Sequence, residues 1–247
     1  MSQVIIGTSG WWYEHWKERF YPKGMEKREW FSYYAKSFDT VEINSSFYRL
    51  PFENVVKGWA KKASENFKFT LKMWRRITHY KRLKEVEKDL ETFFARINPL
   101  HKNLGAILYQ LPPSLKKDLS LLENFLKLLP KELDQAIEFR NKSWLTAETF
   151  SLLEKENIAY CIISMPEFPE SIHLTSNISY IRFHGKEALY GSSYSEEELR
   201  EWAEKIKNLF KQGVDRVYVY FNNDYNAYAV FNALKLKELV KKELHTD

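Results

Sequence analysis

The chain has 247 residues, 44% hydrophobic and 16% aromatic, enough to bury a sizeable core and too apolar for a disordered polymer. Its single cysteine, Cys161, excludes an internal disulfide, and no apolar run approaches the roughly 20 residues of a membrane span. The first residues show no basic region followed by a long apolar stretch, so a cytoplasmic protein without a membrane partner is expected.

Val4-Ile-Ile-Gly7 reads as a short buried strand. It runs into a loop crowded with Trp11, Trp12, Tyr13, His15 and Trp16, which either packs one end of the domain or lines a pocket mouth. Residues 26–36 follow as a helix, and Thr40-Val-Glu-Ile-Asn44 is strand two. Asn54 is the expected cap of a helix over 54–63. Phe67-Lys-Phe-Thr-Leu-Lys72 alternates as strand three, with Thr70 and Lys72 on one face. A basic loop with Arg75 and Arg76 follows. It lies in a segment, 57–88, with 11 Lys or Arg against 3 Asp or Glu. That is a local +8 within a net charge of +5. It reads as a phosphate or nucleic-acid surface or as a solvated helix face.

Leu83, Val86, Leu90, Phe93, Phe94 and Ile97 predict a helix over 83–97. Strand four, Leu104 to Gln110, is ended by Pro112 and Pro113. A helix over 119–129, strand five over 135–140 and a helix over 146–156 come next. Strand six spans 158–163. Residues 165–176 contain Pro166 and Pro169, so this sixth unit is expected to be irregular. Ser179-Tyr-Ile-Arg-Phe-His184 is strand seven, stopped by Gly185, with Tyr180, Arg182 and His184 on one face. Ser195 starts a strong helix running to 210. Strand eight covers 216–223, and the last helix covers 226–240.

Eight strands alternating with helices, without a linker or repeat, predict one α/β domain over residues 1–247. The architecture expected is a parallel eight-stranded (β/α)8 TIM-type barrel. No Gly-rich dinucleotide loop follows strand one.

The motifs also carry a family likeness. Gly7-Thr-Ser-Gly-Trp11, Phe20-Tyr-Pro22 and Val41-Glu-Ile-Asn-Ser-Ser-Phe-Tyr-Arg-Leu-Pro51 open the set. Arg75-Arg-Ile-Thr-His79, Gln110-Leu-Pro-Pro113, Ile137-Glu-Phe-Arg140 with Ser143-Trp144, Arg182-Phe-His-Gly185 and Tyr218-Val-Tyr-Phe-Asn-Asn-Asp224 complete it. Together and in order they resemble the domain-of-unknown-function-72, or YecE-like, family over nearly the whole chain. The resemblance implies a TIM-type barrel and supplies no function. Asn226 departs from the glycine or other small residue expected near the last helix.

In such a barrel chemistry sits at the C-terminal strand ends. Those ends offer Ser9, Glu42, Asn44, Lys72, Gln110, Glu138, Arg140, Arg182, His184, Asn222 and Asn223. Trp12, Tyr48, Arg75, Arg76 and Trp144 are expected beside them as ligand contacts. Arginine forks suit phosphate or carboxylate, so a small anionic ligand is the expected partner. Glu42, Glu138 and His184 are the candidate acid–base groups, and Lys72 a candidate amine nucleophile. No cofactor is predicted. A divalent metal on Glu42, Glu138 and His184 is the weaker alternative, since the fixed cations would repel it. A glycosidase needs two facing carboxylates, and strands two and five are expected to hold Glu42 and Glu138 too far apart. Three functions remain open: an enzyme on a small phosphorylated or carboxylated substrate, a nucleic-acid-binding barrel akin to a DNA repair nuclease, and a non-catalytic ligand sensor.

Overall fold

The computed structural model describes residues 3–244. Its strands are β1 (Gln3–Thr8), β2 (Thr40–Ile43), β3 (Lys68–Lys72), β4 (Leu104–Gln110), β5 (Asp134–Glu138), β6 (Ala159–Ser164), β7 (Ile178–Phe183) and β8 (Arg216–Phe221). All pairings are parallel, in the order β1-β8-β7-β6-β5-β4-β3-β2. A parallel bridge between Ser9 and Glu42 brings the two sheet edges together at their C-terminal end. The sheet is thus a nearly closed TIM-type barrel, as the alternation of elements predicts.

The helices are α1 (Trp30–Tyr34), α2 (Ser45–Tyr48), α3 (Glu53–Lys62), α4 (Glu87–Ile97), α5 (Leu119–Lys127), α6 (Ala147–Lys155), α7 (Glu196–Lys211) and α8 (Tyr228–Leu244). No helix among the described residues is long and apolar enough to cross a membrane. Residues 165–177 join β6 to β7 without a helix, so the irregular sixth unit is present.

Several boundaries differ from expectation, each for a local reason. The first helical segment starts where expected, with Glu26 and Glu29 forming a capping box, but its first turn, Lys27–Glu29, is 3-10 and α1 proper spans only Trp30–Tyr34. Asn54 is not a cap: α3 starts at Glu53, and its N-cap position is held by Phe52. The helix expected from residue 83 begins only at Glu87. Arg76–Tyr80 wind as a π-helical turn, and Arg82, Leu83 and Glu85 then adopt left-handed backbone. Leu83 and Val86 still reach the core; apolar spacing reports burial, and an irregular loop can deliver it as well as a helix. Asn226 has φ +55°, a conformation that asparagine tolerates better than most non-glycine residues.

Strand alternation divides the core in two. Outward residues such as Val41, Phe69, Ile107, Ile137, Ile181 and Val219 pack against the helices. Inward ones, including Ile5, Ala106, Leu108, Ala136, Ile163 and Ile178, fill the barrel. The barrel interior is also layered in polarity. Near its N-terminal end, Tyr218 donates to Asp134 at 2.7 Å. In the middle, the Tyr220 hydroxyl meets Thr40 and Thr70 at 2.8 and 2.7 Å. Above these lie the charges of the C-terminal strand ends.

Candidate functional site

Arg182, on β7, is buried and joins the two carboxylates of the barrel mouth. Its Nη2 donates to Glu42 Oε1 at 2.7 Å and its Nη1 to Glu138 Oε2 at 2.7 Å. Both glutamates are fully buried. Ser9 Oγ donates to Glu42 Oε1 at 2.7 Å and the Tyr180 hydroxyl to Glu42 Oε2 at 2.6 Å. Arg140 Nε pairs with Glu138 Oε1. The expected separation of Glu42 and Glu138 is therefore corrected: although they come from nearly opposite strands, one guanidinium reaches both. Inward-pointing side chains converge on a narrow barrel axis, and the long arginine closes the remaining gap.

The network fixes protonation states. Burial would raise the Glu138 pKa, but Arg140 and Arg182, helped by Lys72, hold it well below the usual carboxylate range. Burial, then Arg182 and Arg140, push His184 well below the ordinary imidazole value. Arg140 Nη2 lies 2.9 Å from His184 Nε2. A guanidinium only donates, so Nε2 accepts and the proton sits on Nδ1. Asn222 Nδ2 lies 3.2 Å from Nδ1; with the proton on Nδ1, exchanging the amide oxygen and nitrogen of Asn222 makes the oxygen the acceptor. Neutral His184 thus spends its lone pair on Arg140.

Lys72 differs from its neighbours. Burial, then Arg182, lower its pKa to about 8, opposed by Glu138 and Glu42. Its ammonium lies 4.1 Å from the Phe47 ring centroid. It has no hydrogen-bond or ion-pair partner among the described residues. Lys72, Gln110, Arg140 and Asn222 are half-buried above the fully covered carboxylates. They form the outer layer of the strand-end cluster.

Other residues fall outside this cluster. Trp144 does not face the mouth: it is fully buried, stacks on Phe139 at 4.9 Å and donates to the Leu115 carbonyl at 2.8 Å. Asn223 bonds Ser192 O and Asn232 Oδ1, both at 2.9 Å, and ties the β8 loop to α8. Arg76 pairs with Asp89 at 2.9 Å. Arg75 lies against the rings of Tyr48 and Tyr80, 5.6 and 5.3 Å from their centroids. Tyr180 and Met165 were missing from the predicted set. Met165 Sδ lies 3.1 Å from Arg140 Nη1 and carries no sequence signal of that contact. Tyr180 does carry one, since it precedes Arg182 by two residues on the same strand face.

Glu42, Glu138 and His184 do not form a metal cage, because Arg182 and Arg140 take up their lone pairs. Among the described residues no group of three or more His, Cys, Asp or Glu is arranged to hold a metal. Cys161 is buried in the barrel core, and burial, then Glu138, push its thiol pKa well up, away from the thiolate form. Part of the basic run of 57–88 is paired or split between the two ends of a strand. Lys68 and Lys72 stand at opposite ends of β3, Lys57 pairs with Glu53, and Arg76 and Lys81 pair with Asp89.

Ser9, Trp12, Asn44 and Tyr48 line a cavity of about 570 Å³ beside the ends of β1 and β2, which Ser9 joins to the cluster through its bond to Glu42. A larger cavity, about 640 Å³, lies between α4 and the segment that follows α5 and holds none of the strand-end polar groups.

The model of the family described as "Protein of unknown function DUF72" matches residues 5–246. The chain belongs to the DUF72 family. The UPF0759 protein YunF of Bacillus subtilis (strain 168) is 28% identical across 97% of this chain and 95% of that protein. The UPF0759 protein YecE of Escherichia coli (strain K12) is 32% identical over 109 residues, 44% of this chain and 40% of its own length. Among solved structures, the DUF72 family protein TM1631 of Thermotoga maritima MSB8 superposes with a TM-score of 0.88. It is 32% identical, with 97% of this chain and 99% of that one covered. A DUF72 family protein of Enterococcus faecalis V583, at 22% identity and TM-score 0.84, shares the fold over 97% of this chain and 96% of its own.

Proposed function

We propose that the barrel mouth is the active site of an enzyme acting on a small phosphorylated or carboxylated substrate, with Lys72 exchanging a proton with it. The observation that carries this reading is the place of Lys72: an amine among charges, set against the Phe47 ring and without a hydrogen-bond or ion-pair partner among the described residues, its pKa lowered by burial and Arg182 to about 8. Such a group is available in both protonation states near neutral pH, which acid–base catalysis requires. Arg140 and Arg182 supply fixed positive charge beside it, suited to an anionic group. The local balance is three cations, Lys72, Arg140 and Arg182, against two carboxylates.

In this reading Glu42 and Glu138 hold the guanidiniums in place and are not themselves the acid and base. Both already accept charge-assisted hydrogen bonds, and Glu138 is too acidic to carry a proton at neutral pH. His184, through its accepting Nε2, orients Arg140.

A thermal-shift series tests the reading. Inorganic phosphate, sugar phosphates and small carboxylates are added to the wild type and to Lys72→Met. The expected result is a rise in Tm with one of these anions, by mass action, that is lost in Lys72→Met. No shift with any of them, or a shift unchanged by the substitution, contradicts it. Stabilisation by a duplex oligonucleotide alone, abolished by salt, would favour nucleic-acid binding instead.

A further inference from the structure

The cavity beside β1 and β2 is walled by six aromatic rings, those of Trp11, Trp12, Tyr13, Phe31, Tyr48 and Trp59. At about 570 Å³ it lies within the size range of small-molecule sites. Some of the rings are already locked together: Trp11 meets Phe31 at 5.3 Å and Trp59 at 6.3 Å, edge-on in both cases. Trp12 and Tyr48 stay 54% and 62% exposed. Large rings left open at a cavity mouth offer faces for stacking.

Two polar groups interrupt this apolar wall without partners. The Asn44 side-chain amide lines the cavity and makes no hydrogen bond among the described residues; its oxygen is covered and unpaired. The Trp11 indole N–H is also covered and has no acceptor. Both atoms are closed off from the free space of the cavity; the reachable part of Asn44 is its amide NH2, which has no acceptor among the described residues and is open to an occupant. An amide NH2 donates to the ring-nitrogen and carbonyl acceptors that the edge of a nucleobase presents. No carboxylate lines the cavity; its charged neighbours are Arg28 and Lys62.

We infer that this cavity binds a nucleobase-type heteroaromatic ring, stacked on Trp12 and Tyr48 and hydrogen-bonded along its edge by Asn44. Lys72 and the buried glutamates do not line the cavity, though Ser9, which bonds Glu42, does; the inference does not rest on the proton-transfer reading. The ring could arrive on a free mononucleotide or on an unpaired base of a strand, and the recognising chemistry is the same.

Saturation-transfer NMR with adenosine, adenosine 5′-monophosphate, ribose 5-phosphate and a short single-stranded deoxyadenylate oligonucleotide tests it. Saturation is expected at the adenine H2 and H8 protons, with none for ribose 5-phosphate. Trp12→Ala and Tyr48→Ala remove exposed rings that folding does not need. Each should weaken adenosine binding by about tenfold, as should Asn44→Ala by loss of its hydrogen bonds. Phe231→Ala, on the outer face of α8, should leave binding unchanged. Tighter, salt-sensitive binding of the oligonucleotide would assign the ring to a strand, and equal binding to a free nucleotide. Absence of transfer to adenosine at millimolar concentration overturns the inference. So does adenosine binding that none of the three site substitutions weakens.

Discussion

Arg182 carries the charge balance of the barrel mouth. It is 1% exposed, and its two bonds to Glu42 and Glu138 satisfy carboxylates that water cannot reach. Removing one partner of such a network leaves uncompensated buried charge, at a cost of about 3–5 kcal/mol. Arg182→Met should therefore lower the unfolding free energy by about that amount in urea titrations; a loss below about 1 kcal/mol would show that the network contributes little. The anomaly of Arg182 was legible in the sequence, because an arginine facing inward from an apolar strand requires acid partners. Which acids it meets was not legible. Glu42 and Glu138 are 140 and 44 residues away, and only barrel closure brings them onto one guanidinium. Trp144 shows the opposite error: its place beside a strand end suggested a ligand contact, but Phe139 and the Leu115 carbonyl use both its ring face and its N–H.

At the scale of elements, local signals fixed what local chemistry controls. Ser195 Oγ accepts from the Glu198 amide at 3.2 Å, and the Glu198 side chain accepts from Ser195 N–H at 2.9 Å. This capping box starts α7 where the sequence places it. Ser195→Ala should cost about 1 kcal/mol in thermal or urea unfolding, and Ser195→Asp should restore most of it; an unchanged midpoint in the alanine variant would contradict the assignment. Gly185 marks a second local rule. It ends the β7 segment at φ +90°, where a Cβ would lie 2.4 Å from the Ala188 carbonyl oxygen. The π-helical turn at Arg76–Tyr80 and the left-handed residues after it followed no such rule. Their conformation serves to bury Ile77, Leu83 and Val86, a demand of the tertiary core.

For the whole molecule, the buried titratable groups set the acid response. His184 is held well below 6.5 by burial, Arg182 and Arg140, and His79 is lowered to about 4 by burial, Lys72 and Arg75. Below pH 6.5 the unfolded chain therefore binds more protons than the folded one, and stability falls as pH falls. The depressed Glu138 pKa acts with the same sign: its contribution is full above 4.5 and is lost as pH drops through the folded value. Urea midpoints should decline from pH 7 to pH 4, and His184→Gln should flatten the slope between pH 6.5 and 5. A midpoint independent of pH over that range would contradict the buried neutral state of His184. Lys72 has the opposite position on the scale. Between about pH 8 and 10.5 its folded form binds fewer protons, so this residue makes stability rise with pH there.

That amine is also where the functional account can be tested most directly. The titration of Lys72 Nζ, followed by NMR in protein with isotope-labelled lysine and assigned by its loss in Lys72→Met, reads its state without knowledge of any substrate. The account predicts a midpoint near pH 8, moving upward when inorganic phosphate is added, because a bound anion favours the ammonium form. A midpoint at the ordinary lysine value of 10.5, indifferent to phosphate, would contradict it.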